Sequence, residues 1–526
     1  MREMAFRLGR GRRWRRVLVP AALSLAIATL PSSATATHNA DRHSRTDLVS
    51  TAPNSRINSD LAFWGNHAFA GYYRNDQSVG GFRIFDISNP AAPQQLVDFP
   101  CDGLQADPIV WDRNGNGIAD LLLLAVDRTM VNSTCGAARS AHDDPNGWEG
   151  VRVFTLSDDQ ANPFASINQV TAVYTDCGAH TITLWPGEAD EGKLLVYVSS
   201  YPLRPGPTCG QVNGPRVGRD PLHGVIQVIE VPLDNPAAAH EIAEPPINYP
   251  GDPDNRIEWC ERGPGACAPG VLEPAARACH DIAVDVEHRL AAGACAEQGQ
   301  LWHIDANGIP DTANPIWVSD DEVSSGGTGN IPGAIDFFHS ATFSNDASVV
   351  NWIDESFAPT SGNECPPTTD WVEKPWHPAG SHETGRGFFV DGASGAFLSD
   401  FQIGRLRPEP GAYCSAHMGL PVANFNRDLL VNAWYMGGVD VIDFSNPSAP
   451  KEIAFYDIAP FGAMGSDNWS AYSYVGPRFR TGPGIPIYAS DGVHNPNSAR
   501  GFVVFRANIG RPAGRALAHL NPQTQE

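Results

Sequence analysis

Lysine is almost missing from this chain: Lys193, Lys374 and Lys451 are the only lysines among 36 basic residues in 526. Charged residues of all kinds reach only 18%, and the formal net charge is -23. An acidic chain of this kind has little to offer a polyanion, which argues against nucleic-acid binding. No C-x-x-C pair is present, so a thiolate zinc site is not expected. Also absent are G-x-S-x-G, H-E-x-x-H, the P-loop and a G-x-G-x-x-G that opens a helix, which removes the standard hydrolase and nucleotide-binding signatures. After residue 36 no apolar run reaches eighteen residues, so no membrane-spanning helix is expected. What is abundant is turn formers and rings. With 51 Gly and 44 Pro the chain does not read as a coiled coil or helix bundle. With 13 Trp, 23 Phe and 42% hydrophobic residues it does not read as disordered. A large all-β protein fits both counts.

Residues 1–36 read as a signal peptide. Seven Arg precede an apolar run, Val17 to Leu30, and Ala34-Thr35-Ala36 supplies a small-residue cleavage site. Arg15-Arg16 also loosely fits a twin-arginine export signal, so the route stays open. Loss of seven Arg and one Glu would take the mature charge to -29. Export would place the ten Cys where disulfides persist. Their near-neighbour grouping suggests Cys101–Cys135, Cys177–Cys209, Cys260–Cys267, Cys279–Cys295 and Cys365–Cys414, with other connectivities open.

The chain repeats itself. Gly81–Asp86 (GFRIFD) continues as ISNPAAPQQLVDF, and Gly438–Asp443 (GVDVID) continues as FSNPSAPKEIAFYD. Weaker copies begin at Gly150, Gly224, Gly299, Gly387 and Gly501, which makes seven. An apolar stretch precedes each copy, and a middle strand often intervenes. Seven antiparallel meanders predict a seven-bladed β-propeller over residues 46–510. Thr46–Ala52 has no blade of its own, while the last copy lacks an outer strand. The first is therefore expected to complete the seventh blade and remove an exposed edge. Residues 37–45 and 511–526 read as flexible flanks.

The segments from Gly80 (GGFRIFDISNPAAP) and Gly437 (GGVDVIDFSNPSAP) resemble the LVIVD-repeat proteins, secreted or surface β-propellers. The resemblance is specific in two blades and only a pattern in the other five, which lack the SNP-x-AP turn. It implies a fold and an extracytoplasmic setting. It implies no one activity, because propellers host many functions.

Four of the seven inner strands begin with histidine: His180, His280, His339 and His417, in consecutive blades three to six. Inner strands surround the axis, so the four imidazoles would converge there. Such a nitrogen set suits Fe, Cu or Zn, and a polar, water-filled channel is the competing reading. The placement is similar to that in carotenoid-cleavage oxygenases and in copper-dependent propellers of the selenium-binding/methanethiol oxidase group, whose motifs are not found here. Asp107, Asp354 and Glu355 are candidate partners for the imidazoles, and a solvated loop is the alternative for the last two. Asp281, next to His280, reads as inter-blade packing.

Asp112, Asn114, Asn116, Ile118 (through its carbonyl) and Asp120 follow D-x-N-x-N-G-x-x-D, similar to the first part of an EF-hand-type loop but without its final Glu. Structural Ca2+ or a metal-free Asn/Gly turn would both fit. Two functions follow. One is a secreted propeller with an axial histidine-bound metal acting as an oxidase or oxygenase on a small substrate. The other is a non-catalytic, calcium-stabilised binding or scaffold propeller for an extracellular ligand. A monomer is expected in either case.

Overall fold

A computed structural model describes residues 41–53, 56–73, 79–141, 144, 146–175, 178–199, 225–247, 279–295, 298–320, 331, 335, 337–355, 385–405, 415–423, 425–458, 468–476, 484–492, 501–510 and 517–526. The chain divides into two units, Met1–Ala36 and Thr37–Glu526. The expected signal segment and the pairs Cys177–Cys209, Cys260–Cys267 and Cys365–Cys414 lie outside the described residues.

The described residues from 41 onward form seven sheets, the blades of a β-propeller, antiparallel except where Thr524–Gln525 runs parallel to Asp281–Asp285. The inner strands are Ile57–Trp64, Pro108–Trp111, Thr181–Trp185, Asp281–Asp285, Phe338–Phe343, Ala416–Pro421 and Asn468–Tyr472. The seven repeat copies become the third strands, from Gly81–Asp86 to Gly501–Ala507. The glycine that opens the copy is required by close approach. A Cβ on Gly81 would stand 2.2 Å from the Phe99 carbonyl, and on Gly438 2.3 Å from that of Tyr456, with φ positive at both. The SNP turn is held by the preceding aspartate: Asp86 accepts from the Ser88 N–H at 2.8 Å, Asp443 from that of Ser445 at 3.1 Å. Alternating strands send aliphatic side chains between blades, as where Val431, Val441, Ile487 and Val503 pack blade six on blade seven.

Thr46–Ala52 pairs with Gly501–Ala507 and supplies the outer strand of blade seven, as expected. The flank before it is not loose: Arg42–Ser44 adds a fifth strand to blade six against Lys451–Asp457, and Arg42 pairs with Asp457 at 2.5 Å. Disulfides join Cys101 to Cys135 and Cys279 to Cys295.

The expectation of a flexible tail over 511–526 fails for residues 517–526. They fill the axis. His519–Leu520 pairs with the blade-one inner strand and Thr524–Gln525 with that of blade four. Asn521 bonds both backbone groups of Val110 in blade two, at 2.8 and 3.0 Å. Thr524 donates to the Leu184 carbonyl in blade three, and Gln525 bonds Phe343 in blade five. Gln523 reaches Met418 in blade six, and Leu517 N–H donates to Val475 next to blade seven. One short segment thus acts as a hub for all seven blades. A cavity of about 230 Å³ lies beside it, lined by Asp285, Asn345, Leu420, His519, Asn521 and Glu526.

Candidate metal centre on the axis

The hub touches the C-terminal ends of the inner strands, and the histidines sit at their N-terminal ends. Val284 lies four positions after His280, so the two levels lie roughly 13 Å apart at ~3.3 Å per residue. His180, His280, His339 and His417 are all buried and form a continuous file across blades three to six. Neighbouring ring centroids are 4.5, 3.9 and 4.0 Å apart.

Three of the four rings are oriented through Nδ1, and His339 Nδ1 has no hydrogen-bond partner. His180 Nδ1 meets Asp127 Oδ2 at 2.6 Å. His280 Nδ1 meets the His339 carbonyl at 3.1 Å, and His417 Nδ1 meets the Trp469 carbonyl at 2.6 Å. A carbonyl oxygen can only accept, so the hydrogen-bond network assigns Nδ1–H to these rings and leaves the lone pair on Nε2. His180 Nε2 and His280 Nε2 then face each other at 2.8 Å. Two lone pairs at that distance repel unless a proton or a metal cation lies with them. His339 Nε2 stands 3.7 Å from Glu355 Oε2, and His417 Nε2 stands 3.9 Å from Glu355 Oε1. His339, Glu355 and His417 offer ligand atoms that all fall within 4.8 Å of one another. Burial, then the neighbouring imidazoles, hold His280 and His339 well below the ordinary histidine pKa, which keeps them neutral and able to ligate.

The sequence-level partners separate. Glu355 joins the histidine layer, so the solvated-loop alternative does not hold for it. Asp354 instead accepts the N–H groups of Phe337 (2.7 Å) and Gly385 (3.1 Å) and pins the strand. Asp107 accepts from the Gln105 amide at 3.3 Å. Asp127 carries no signal in the sequence, because it lies within an apolar strand, Leu121–Met130, with no motif around it. Across the axis, Trp469, Tyr435 and Tyr73 close the site with aromatic surface: Trp469 lies 4.3 Å and Tyr435 4.6 Å from His417, and Tyr73 lies 5.0 Å from Trp469.

The blade-two loop is closed by its own groups. Asp112 accepts from the N–H of Asn114, Gly115, Asn116 and Gly117. Asp120 pairs with Arg113 at 2.8 Å, and the Asn114 and Asn116 amides both donate to Asp158. Ile118 donates its N–H to Asn116 Oδ1 at 2.9 Å.

The LVIVD repeat family model matches residues 56–97 and 433–458, in blades one and six. No curated protein matches the chain. Among solved structures it is similar to a putative 6-phosphogluconolactonase from Bacteroides uniformis (9% identity, 87% of this chain and 99% of that one, TM-score 0.42). It is also similar to Sqt1 from Chaetomium thermophilum bound to the N-terminus of ribosomal protein L10 (12%, 88% and 90%, 0.43). A third is the periplasmic gluconolactonase of Pseudomonas aeruginosa (10%, 75% and 86%, 0.41). Likeness at this level carries no inference about activity.

Proposed function

We propose that this LVIVD-repeat β-propeller is an exported metalloprotein that holds a transition metal on its axis and acts as an oxidoreductase on a small substrate. The observation that carries the reading is the shared orientation of three of the four imidazoles together with the approach of His339 and His417 to Glu355. Nδ1 is tied to a carboxylate or carbonyl in three of them, and the Nε2 atoms of His339 and His417 approach one carboxylate. Metal-binding histidines are characteristically oriented in this way by a partner on the second nitrogen. His339, Glu355 and His417 are the candidate ligands, with His280 and His180 adjoining them. A nitrogen and oxygen donor set suits Fe, Cu or Zn. Bound there, such an ion would supply Lewis-acid or one-electron chemistry.

The protein's own contribution is binding and exclusion of water. Trp469, Tyr435 and Tyr73 give the substrate an aromatic wall, and burial keeps His280 and His339 neutral. The hub segment fills the far end of the channel, which leaves the histidine end as the side of approach. The two disulfides fit an oxidising compartment. No helix among the described residues is long and apolar enough to cross a membrane.

Elemental analysis of the purified mature protein tests the reading. Stoichiometric Fe, Cu or Zn is expected. Only trace amounts of these metals, persisting after reconstitution with each ion, would overturn it and favour a non-catalytic binding propeller.

A further inference from the structure

The cavity beside the hub segment lies at the opposite end of the inner strands from the histidines. Its volume of about 230 Å³ is that of about eight water molecules in the liquid. Strand pairing shapes it. Thr524–Gln525 runs parallel to Asp281–Asp285 with Gln525 opposite Asp285, and the Val286 N–H donates to the Gln525 carbonyl at 2.9 Å. That register carries Glu526 past the end of the blade-four strand, so that Asp285, Glu287 and Glu526 line one space. Blade six contributes Leu420 and Pro421 to the lining, and the hub contributes Leu517 and Leu520. The cavity thus has a carboxylate end on blade four and an apolar wall on blade six.

The side-chain amides around it are already engaged. Asn521 holds Val110, Gln525 holds Phe343, and Asn345 donates to the Val422 carbonyl at 3.3 Å. His519 stacks on Trp64 at 4.2 Å, and its Nε2 faces Glu526 Oε2 at 3.3 Å. The carboxylates are not all engaged. The Asp285 side chain is only 6% exposed, and its Oδ1 accepts the His288 N–H at 2.7 Å and meets His288 Nδ1 at 2.9 Å. Asp285 Oδ2 has no hydrogen-bond partner among the described residues, and Asp285 is part of the cavity wall. Neither Lys nor Arg lines the cavity. A buried carboxylate oxygen without a donor is costly, and a ligand that brings the donor recovers the loss. An anion would meet three carboxylates here, and a neutral hydrocarbon would leave Asp285 Oδ2 unsatisfied. What fits is a positively charged N–H donor on a short hydrocarbon. The net charge of the chain, -23, favours the approach of such a cation.

We propose that this cavity binds a small alkylammonium ion, with its ammonium group toward Asp285 and Glu526 and its alkyl part on Leu420, Pro421 and Leu520. The site is separate from the histidine centre and does not depend on it.

Three probes of equal carbon number test it on the full mature chain: butylamine, butanol and butyrate, each titrated calorimetrically in an amine-free buffer. Butylamine should bind with a Kd on the order of 1 mM, the range open to so small a ligand. Butanol, which is neutral, should bind at least ~10-fold more weakly, and butyrate more weakly still. Asp285→Asn, which keeps Oδ1 for the His288 N–H, and Glu526→Gln should each weaken butylamine binding ~10-fold. Circular dichroism checks the fold, and if Asp285→Asn does not fold, Glu526→Gln decides. No saturable binding of butylamine up to about 50 mM, well above that Kd, would overturn the proposal. So would equal binding of butanol or butyrate, or undiminished binding in the variants. Fe, Cu and Zn content, read on the same samples, should stay unchanged, so failure here and failure of the histidine centre are separately visible.

Discussion

Replacing Asn521 by Ala tests whether residues 517–526 are a working hub. The side chain makes two hydrogen bonds to one residue, accepting from Val110 N–H at 2.8 Å and donating to Val110 C=O at 3.0 Å. Both residues are buried. Truncation leaves a strand N–H and a carbonyl without partners, and each orphaned buried group costs about 1–3 kcal/mol. Asn521 lines the 230 Å³ cavity, so a water molecule can enter and recover part of the loss. The expected destabilisation is therefore about 2 kcal/mol rather than the full sum. Chemical denaturation followed by tryptophan fluorescence should show the midpoint fall with little change in slope. An equal loss is expected for Gln525→Ala, which deprives Phe343 of bonds to both its backbone groups. If Asn521→Ala shifts stability by less than about 0.5 kcal/mol, the range of an ordinary surface substitution, the segment does not hold the ring and the reasoning fails.

His280→Ala and His339→Ala should remove the transition metal while the β-rich circular dichroism spectrum is retained; unchanged metal content would place the centre elsewhere. Asp440 is fully buried, and burial pushes its pKa up to about 7 against the opposing influence of Arg405 and Trp434. A folded pKa above the unfolded one means that stability is lost as pH rises from about 4 to about 7. Asp440→Asn should thus stabilise the protein by on the order of 2 kcal/mol at pH 8 and lose that gain near pH 4, and equal effects at both pH values would refute the assignment. For the blade-two loop we expect Ca2+ to raise the melting temperature of the native chain but not of Asp120→Asn, since the ion would have to take Asp120 from Arg113; identical melting with Ca2+ and with EDTA would leave the loop a metal-free turn.

The blade count was legible because each blade carries its own local pattern: an alternating strand, a glycine forced by the next strand's carbonyl, and an aspartate that closes the turn. The histidines were legible because they recur at one register. Their partners were less so. Glu355 could be proposed because it stands at the end of the strand that follows His339, whereas Asp127 reaches His180 across 53 residues and between blades, and nothing in LLLLAVD marks it. The hub was invisible for a related reason. LAHLNPQTQE has no strand alternation because its bonds run to the backbones and side chains of several blades in turn, and no single sheet imposes a period on it.

The closing strands bear on how the protein is made. Arg42 meets Asp457 across 415 residues, and Asp47 meets Asn508 across 461. Until nearly the whole chain has been synthesised, Thr46–Ala52 has no partner strand, and the early strands wait with a bare edge. Contacts this distant in sequence form slowly, and bare edges recruit other chains. The clasp therefore makes assembly a race between self-closure and association with a second nascent chain, and the yield of active protein should depend on how dilute the unfinished molecules are kept.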